Sequence, residues 1–182
     1  MSYARACKDT HRTVTGYCRR AFQIHRCLAR FMSEDDVVRL RLLQYHTNFV
    51  ISGSVAVQFF SRESFADGDL DLYTERQHAF TIFHFLLGMG YAFRPRQMQA
   101  RTPEDALTQA LNEDMVPDDV HYDERSILET FSFRKRHRHR PVIQVILVQT
   151  SSIDAIMSFH SSAFIYFRAV LHTLTVAAQR SS

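Results

Sequence analysis

Two short apolar runs, joined by a compact linker, limit what this chain can fold into. Residues 49–52, Phe-Val-Ile-Ser, end on Gly53-Ser54, and the run 55–60 that follows reads as a short buried helix. After a loop over 61–66 comes Asp67-Gly68-Asp69-Leu70-Asp71-Leu72-Tyr73, a second strand. Strand side chains alternate between faces, so Asp69 and Asp71 share one face while Leu70 and Leu72 share the other. Two carboxylates side by side on a sheet repel each other unless a cation sits between them, which makes the pair a metal-site pattern. A glycine at a strand end lets a ligand approach the backbone. A serine at the head of the next helix adds a hydroxyl to N–H groups that have no helical partner, which is a phosphate-site pattern. Gly-Ser alone marks many turns and Asp-x-Asp alone many loops. The weight lies in their order along the chain.

A chain of 182 residues, 46% of them hydrophobic, fits one domain with a sizeable core. The 23% of charged residues and the scarcity of Gly and Pro indicate a soluble globular protein. Cys7, Cys18 and Cys27 are odd in number and lack Cys-x-x-Cys spacing, so they read as reduced thiols inside a cell. With His11 or His25 they match no common zinc spacing. The longest apolar run, 163–178, is interrupted by Arg168 and His172, so no membrane partner is expected. No apolar signal core follows Met1. The expected location is intracellular, cytoplasmic or nuclear, with a mitochondrial presequence as the alternative suggested by an Arg-rich start.

The expected order of elements alternates helices and strands, an α+β fold with a small mixed sheet flanked by helices. Residues 1–32 read as a helical N-terminal extension in which Gly16 is a break, and 33–182 as the main domain. Ser33 has the character of an N-cap, with Glu34, Asp35 and Asp36 in the first helical turn. Val37, Leu40, Leu43 and Tyr45 give that helix an apolar face, and Asn48 ends it. Thr74 is expected to cap a helix to Leu87, apolar at Phe80, Phe83, Leu86 and Leu87 and closed by Gly88 and Gly90. A short strand at 91–93 precedes a polar, acidic insertion near 97–123, with one helix at 103–111. Strands at 127–133 and 142–148 form a hairpin. Helices at 151–159 and 163–179 complete the chain.

With these elements placed, the sequence resembles the nucleotidyltransferase-fold superfamily, the group around DNA polymerase beta, poly(A) polymerases and aminoglycoside nucleotidyltransferases. The shared pattern is Gly-Ser after the first strand and hydrophobic-Asp-hydrophobic-Asp on the next, here Ile51-Ser52-Gly53-Ser54 and Asp69-Leu70-Asp71-Leu72. Small fungal members look most similar, through Ile143-Gln144 and Ser158-Phe159-His160. The resemblance covers roughly residues 45–165. It implies transfer of a nucleoside monophosphate from a nucleoside triphosphate to a hydroxyl acceptor, with Mg²⁺ as cofactor. Gly53 and Ser54 would hold the phosphates, and Asp69 and Asp71 would be the catalytic pair that ligates the metal. Active members commonly place a third carboxylate on a later strand. The polar position there is Gln144, which can neither ligate metal as a carboxylate nor take a proton. Glu129 and Asp154 are the available substitutes. The alternative is therefore a catalytically inactive nucleotide- or partner-binding member of the same fold.

Three features stand beside this pattern. Arg62, in the loop between the Gly-Ser turn and the carboxylates, is a candidate triphosphate contact. The block Arg134-Lys135-Arg136-His137-Arg138-His139-Arg140 offers charge to a nucleic-acid acceptor, but no aromatic interrupts it for base stacking, so a solvated hairpin tip is the simpler reading. His160 beside Ser161 and Ser162 lacks the Gly-x-Ser-x-Gly setting of a nucleophile and reads as a capped or core histidine.

Overall fold

A computed structural model describes residues 3–63, 65, 67–113, 127–135 and 141–157. The basic positions 136–140, the acidic stretch 114–124, the Ser158-Phe159-His160 motif, the Ser161 and Ser162 positions, the end of the 151–159 helix and the 163–179 helix of the sequence reading lie outside them, as does the Cys18 side chain.

The chain opens with α1 (Tyr3–Ala21) and α2 (Ile24–Leu28). Gly16 does not break α1. One glycine costs a helix only about 1 kcal/mol relative to alanine, too little to end it, and the break falls instead at Gln23, held extended at φ −108° and ψ 92°. α3 (Glu34–Thr47) begins as expected, with the Asp36 N–H donating to Ser33 Oγ at 3.2 Å. It ends at Asn48, left-handed at φ 53°. Its inner face is Val37, Leu40 and Gln44. Tyr45, expected to face inward, is 66% exposed instead.

β1 (Val50–Ser52) leads through Gly53 directly into α4 (Gly53–Ser61), and β2 (Leu70–Glu75) follows. α5 (Arg76–Gly88) starts later than its sequence suggests. Thr74 does not cap it; the residue lies in β2, fully buried, and its hydroxyl donates to the Glu75 carbonyl at 3.3 Å. The strand wins because Thr74 continues the parallel ladder, opposite Leu147. Phe80, expected on the inner face of α5, is 40% exposed and stacks on His84. The buried positions are Ala79, Ile82, Phe83 and Leu86.

β3 (Ala92–Arg94), α6 (Pro103–Glu113), β4 (Ile127–Arg134), β5 (Ile143–Val148) and α7 (Ser152–Met157) complete the described elements. The fold is α+β. Five strands form one mixed sheet in the order β1-β2-β5-β4-β3, with β2 and β5 parallel and every other pair antiparallel.

Alternation along the strands gives the sheet two unlike faces. On one, Ile51, Leu70, Leu72, Val145, Ile143, Phe131 and Phe133 join Phe83, Leu86, Leu107, Leu28 and Phe31 in the main core. Residues 27–32 and α6 thus share a core with the sheet, and the Tyr91 hydroxyl, buried against the Phe31 carbonyl, ties the first to it. The other face carries a smaller cluster, Val50, Tyr73, Ile146 and Val148 under Ala155 and Ile156 of α7. The candidate site lies on this second face. Among the described residues, no helix is long and apolar enough to cross a membrane.

Candidate functional site

The strand register sets one polar row across the second face. Ser52 on β1 lies opposite Asp71 on β2, Asp71 opposite Gln144 on β5, Gln144 opposite Ser132 on β4, and Ser132 opposite Arg94 on β3. The neighbouring row, Val50, Tyr73 and Ile146, is apolar and buried under α7. Asp69, one residue ahead of β2, joins the polar row from its open end.

Two glycines join the two halves of the sequence motif. Gly53 has φ +66°, and a Cβ there would lie 1.9 Å from Asp71 Oδ2, so only glycine lets the turn close on the carboxylate. Gly68 has φ +146°, and a Cβ there would lie 2.4 Å from Ser54 Oγ. Each motif therefore leaves room for a side chain of the other. The Ser54 hydroxyl completes the join by donating to the Asp69 carbonyl at 3.2 Å. Ser52, the N-cap of α4, makes no side-chain capping bond, and this nine-residue helix starts at Gly53, beside the Asp71 carboxylate. Asp67, just ahead of Gly68, is exposed at a bend.

Asp69 and Asp71 differ in their surroundings. Burial, and then the charge of Asp69, pushes the Asp71 carboxyl from 3.8 to about 6. Burial and the Asp71 charge push the Tyr73 hydroxyl up to about 12. Asp69 Oδ2 accepts a hydrogen bond from Gln144 Nε2 at 2.6 Å. The group beside the pair is thus an amide donor occupying one carboxylate oxygen. Among the described residues, no cluster of three His, Cys, Asp or Glu suited to a metal forms. Glu129 Oε1 accepts the Thr130 N–H at 2.7 Å and lies 4.0 Å from Arg96. Asp154 is exposed in the first turn of α7.

Gly53, Ser54, Asp69, Asp71 and Gln144 are brought together. Arg62 is not among them. It caps the far end of α4, left-handed at φ 61°, and its guanidinium bonds the Tyr17 hydroxyl of α1. The cation at the corner is Arg30, whose Nη2 lies 3.2 Å from the Cβ position of Gly68. No local sequence signal marked Arg30, because its partners lie 35 and 38 residues further along the chain.

All the side-chain ligands on offer are oxygens, which suits a hard divalent cation. Mg²⁺ is commonly held by one or two carboxylates together with substrate phosphates and water, and Asp71 with the free oxygen of Asp69 fits that arrangement. The same pair does not amount to a self-sufficient cation site. No protein-family model matches the chain, and neither a curated protein nor a solved structure matches it.

Proposed function

We propose that this protein binds a nucleoside triphosphate together with Mg²⁺ at the head of α4, as a nucleotidyltransferase-like protein in which Gln144, and no third carboxylate among the described residues, stands beside the pair. The observation that carries the reading is the interlock of Gly53 with Asp71, which sets a carboxylate pair against the uncapped start of a helix. The N–H donors and positive dipole end of a helix start favour phosphate oxygens. Asp69 and Asp71 would hold the metal, whose charge offsets both their mutual repulsion and that of the phosphates. The unfavourable burial of Asp71 supports this reading, because a cation is what would make an ionised carboxyl there favourable.

Binding is favoured over transfer by the bond from Gln144 to Asp69. Nucleotidyl transfer needs the acceptor hydroxyl deprotonated beside the metal, and an amide cannot take that proton. The amide also removes one Asp69 oxygen from the metal's reach.

The test is calorimetric titration with each of the four common ribonucleoside triphosphates, with Mg²⁺ and with a chelator in its place. The reading expects Mg²⁺-dependent binding that Asp69→Asn and Asp71→Asn each weaken strongly, without pyrophosphate release. Release of pyrophosphate by the wild type, lost in both variants, would instead establish a working transferase. Binding indifferent to both Mg²⁺ and the two substitutions would remove the site.

A further inference from the structure

The loop that delivers Asp69 is fastened from outside the motif. Arg30 follows α2, and its guanidinium donates from Nη1 to the Phe65 carbonyl at 3.0 Å and from Nη2 to the Gly68 carbonyl at 2.9 Å. The guanidinium carbon lies 4.6 Å from the centre of the Phe31 ring, and Phe31 is fully buried in the main core. A planar cation held against a fixed ring and forked onto two carbonyls has little freedom left. The two carbonyls bracket residues 65–68, the last residues before Asp69. The same Nη2 and Ser54 Oγ lie 3.2 and 2.4 Å from the Cβ position of Gly68.

We infer that Arg30 is a positioning residue of the triphosphate site, an inference that rests on the function proposed above. It sets the loop from which Asp69 emerges, and it places a full positive charge at the Gly68 corner, the same corner that Ser54 reaches from the head of α4. The segment before residue 33 is then a working part of the site and not an appendage to it. Lysine would keep the charge and lose the fork, because an ammonium on a flexible stem does not reproduce two parallel N–H donors.

The experiment uses the full chain as wild type, Arg30→Lys and Arg30→Gln. Each is titrated with Mg²⁺ and the four ribonucleoside triphosphates, well below its own melting temperature and at two salt concentrations. Loss of charge-assisted hydrogen bonds should weaken Arg30→Gln by about tenfold or more, flatten its salt dependence, and leave Arg30→Lys between the two. A side chain acting only through folding would lower the melting temperature and leave the affinity and salt dependence of the folded protein unchanged. That result, or full recovery by Arg30→Lys, overturns the inference. If Arg30→Gln does not fold, Arg30→Lys decides alone, and wild-type affinity in it is the overturning result. A wild type that binds none of the triphosphates removes the site and this inference together. Binding by the wild type with unchanged affinity in the folded variants removes this inference alone.

Discussion

Replacing Asp71 by asparagine should make the free protein more stable while weakening the proposed hold on Mg²⁺ and triphosphate. The carboxyl titrates at about 6 when folded against 3.8 ordinarily, through burial and the charge of Asp69. At about 1.4 kcal/mol per pH unit, an ionised Asp71 costs the fold about 3 kcal/mol above pH 6. The residue is only partly buried, and solvent screening lowers this to about 1–2 kcal/mol. The folded state holds its proton more tightly than the unfolded chain, so stability falls as pH rises from near 4 through 6. The whole penalty is present above that window, and none below it. Asparagine has nearly the same shape, makes the same close approach to Gly53 and does not titrate. For a domain of this length, about 2–4 °C of melting temperature per kcal/mol gives a gain of about 2–8 °C at pH 7.5. Thermal melts of both proteins from pH 4 to 8, without metal, measure it. The difference should be near zero at pH 4 and should grow to its full value above pH 6. A variant less stable than the wild type, or a difference independent of pH, refutes the reasoning.

The interlock of the two motifs is tested by Gly53→Ala, which meets both a positive φ and the Asp71 carboxylate. It should cost about 2–4 kcal/mol by chemical denaturation, and part of that cost should vanish in the Gly53→Ala, Asp71→Ala double variant. A coupling below about 0.5 kcal/mol would mean that the two residues do not meet. Mg²⁺ alone should shift the melting temperature little, whereas Mg²⁺ with a bound triphosphate at about 100 times Kd should stabilise by about 2.7 kcal/mol. An equal shift from metal alone would point to a self-sufficient cation site. Tyr91→Phe removes the buried hydroxyl that bonds the Phe31 carbonyl and should destabilise by about 1–2 kcal/mol in urea melts, with no change indicating that residues 27–32 hold without it. Gln144→Asp should lose about 1–2 kcal/mol without metal, through a third like charge on the row, and should regain it as Mg²⁺ is added with triphosphate. Failure of Mg²⁺ to restore it would place residue 144 out of the metal's reach.

Much of the fold could be read from local chemistry. Ser33 with its three following acids marks the start of α3, Asn48 its end, and strand alternation puts Asp69 and Asp71 on one face with Gln144 beside them. The expectations that failed were local preferences overruled by tertiary structure. Thr74 is an adequate helix cap until a strand pairs with it, and Gly16 is an adequate break until the flanking helix carries it. Phe80 and Tyr45 have apolar bodies on helices whose inward faces were already filled. The site was half legible. Gly53 and the two carboxylates announce themselves by spacing, but the need for Gly68 arises from Ser54, fourteen positions earlier, and Arg30 reaches the loop across 35 residues. Arg62 was the nearer cation in sequence, yet α4 separates it from the corner by its own length.

The central claim is that the head of α4 and the carboxylate pair hold a metal–triphosphate complex. The most direct measurement is the affinity of the wild type and of Asp71→Asn for the four ribonucleoside triphosphates, with and without Mg²⁺. The account predicts Mg²⁺-dependent binding of at least one triphosphate by the wild type, weakened by about tenfold or more in a variant that is itself the more stable protein. No binding by the wild type, or equal binding by the two proteins, would contradict it.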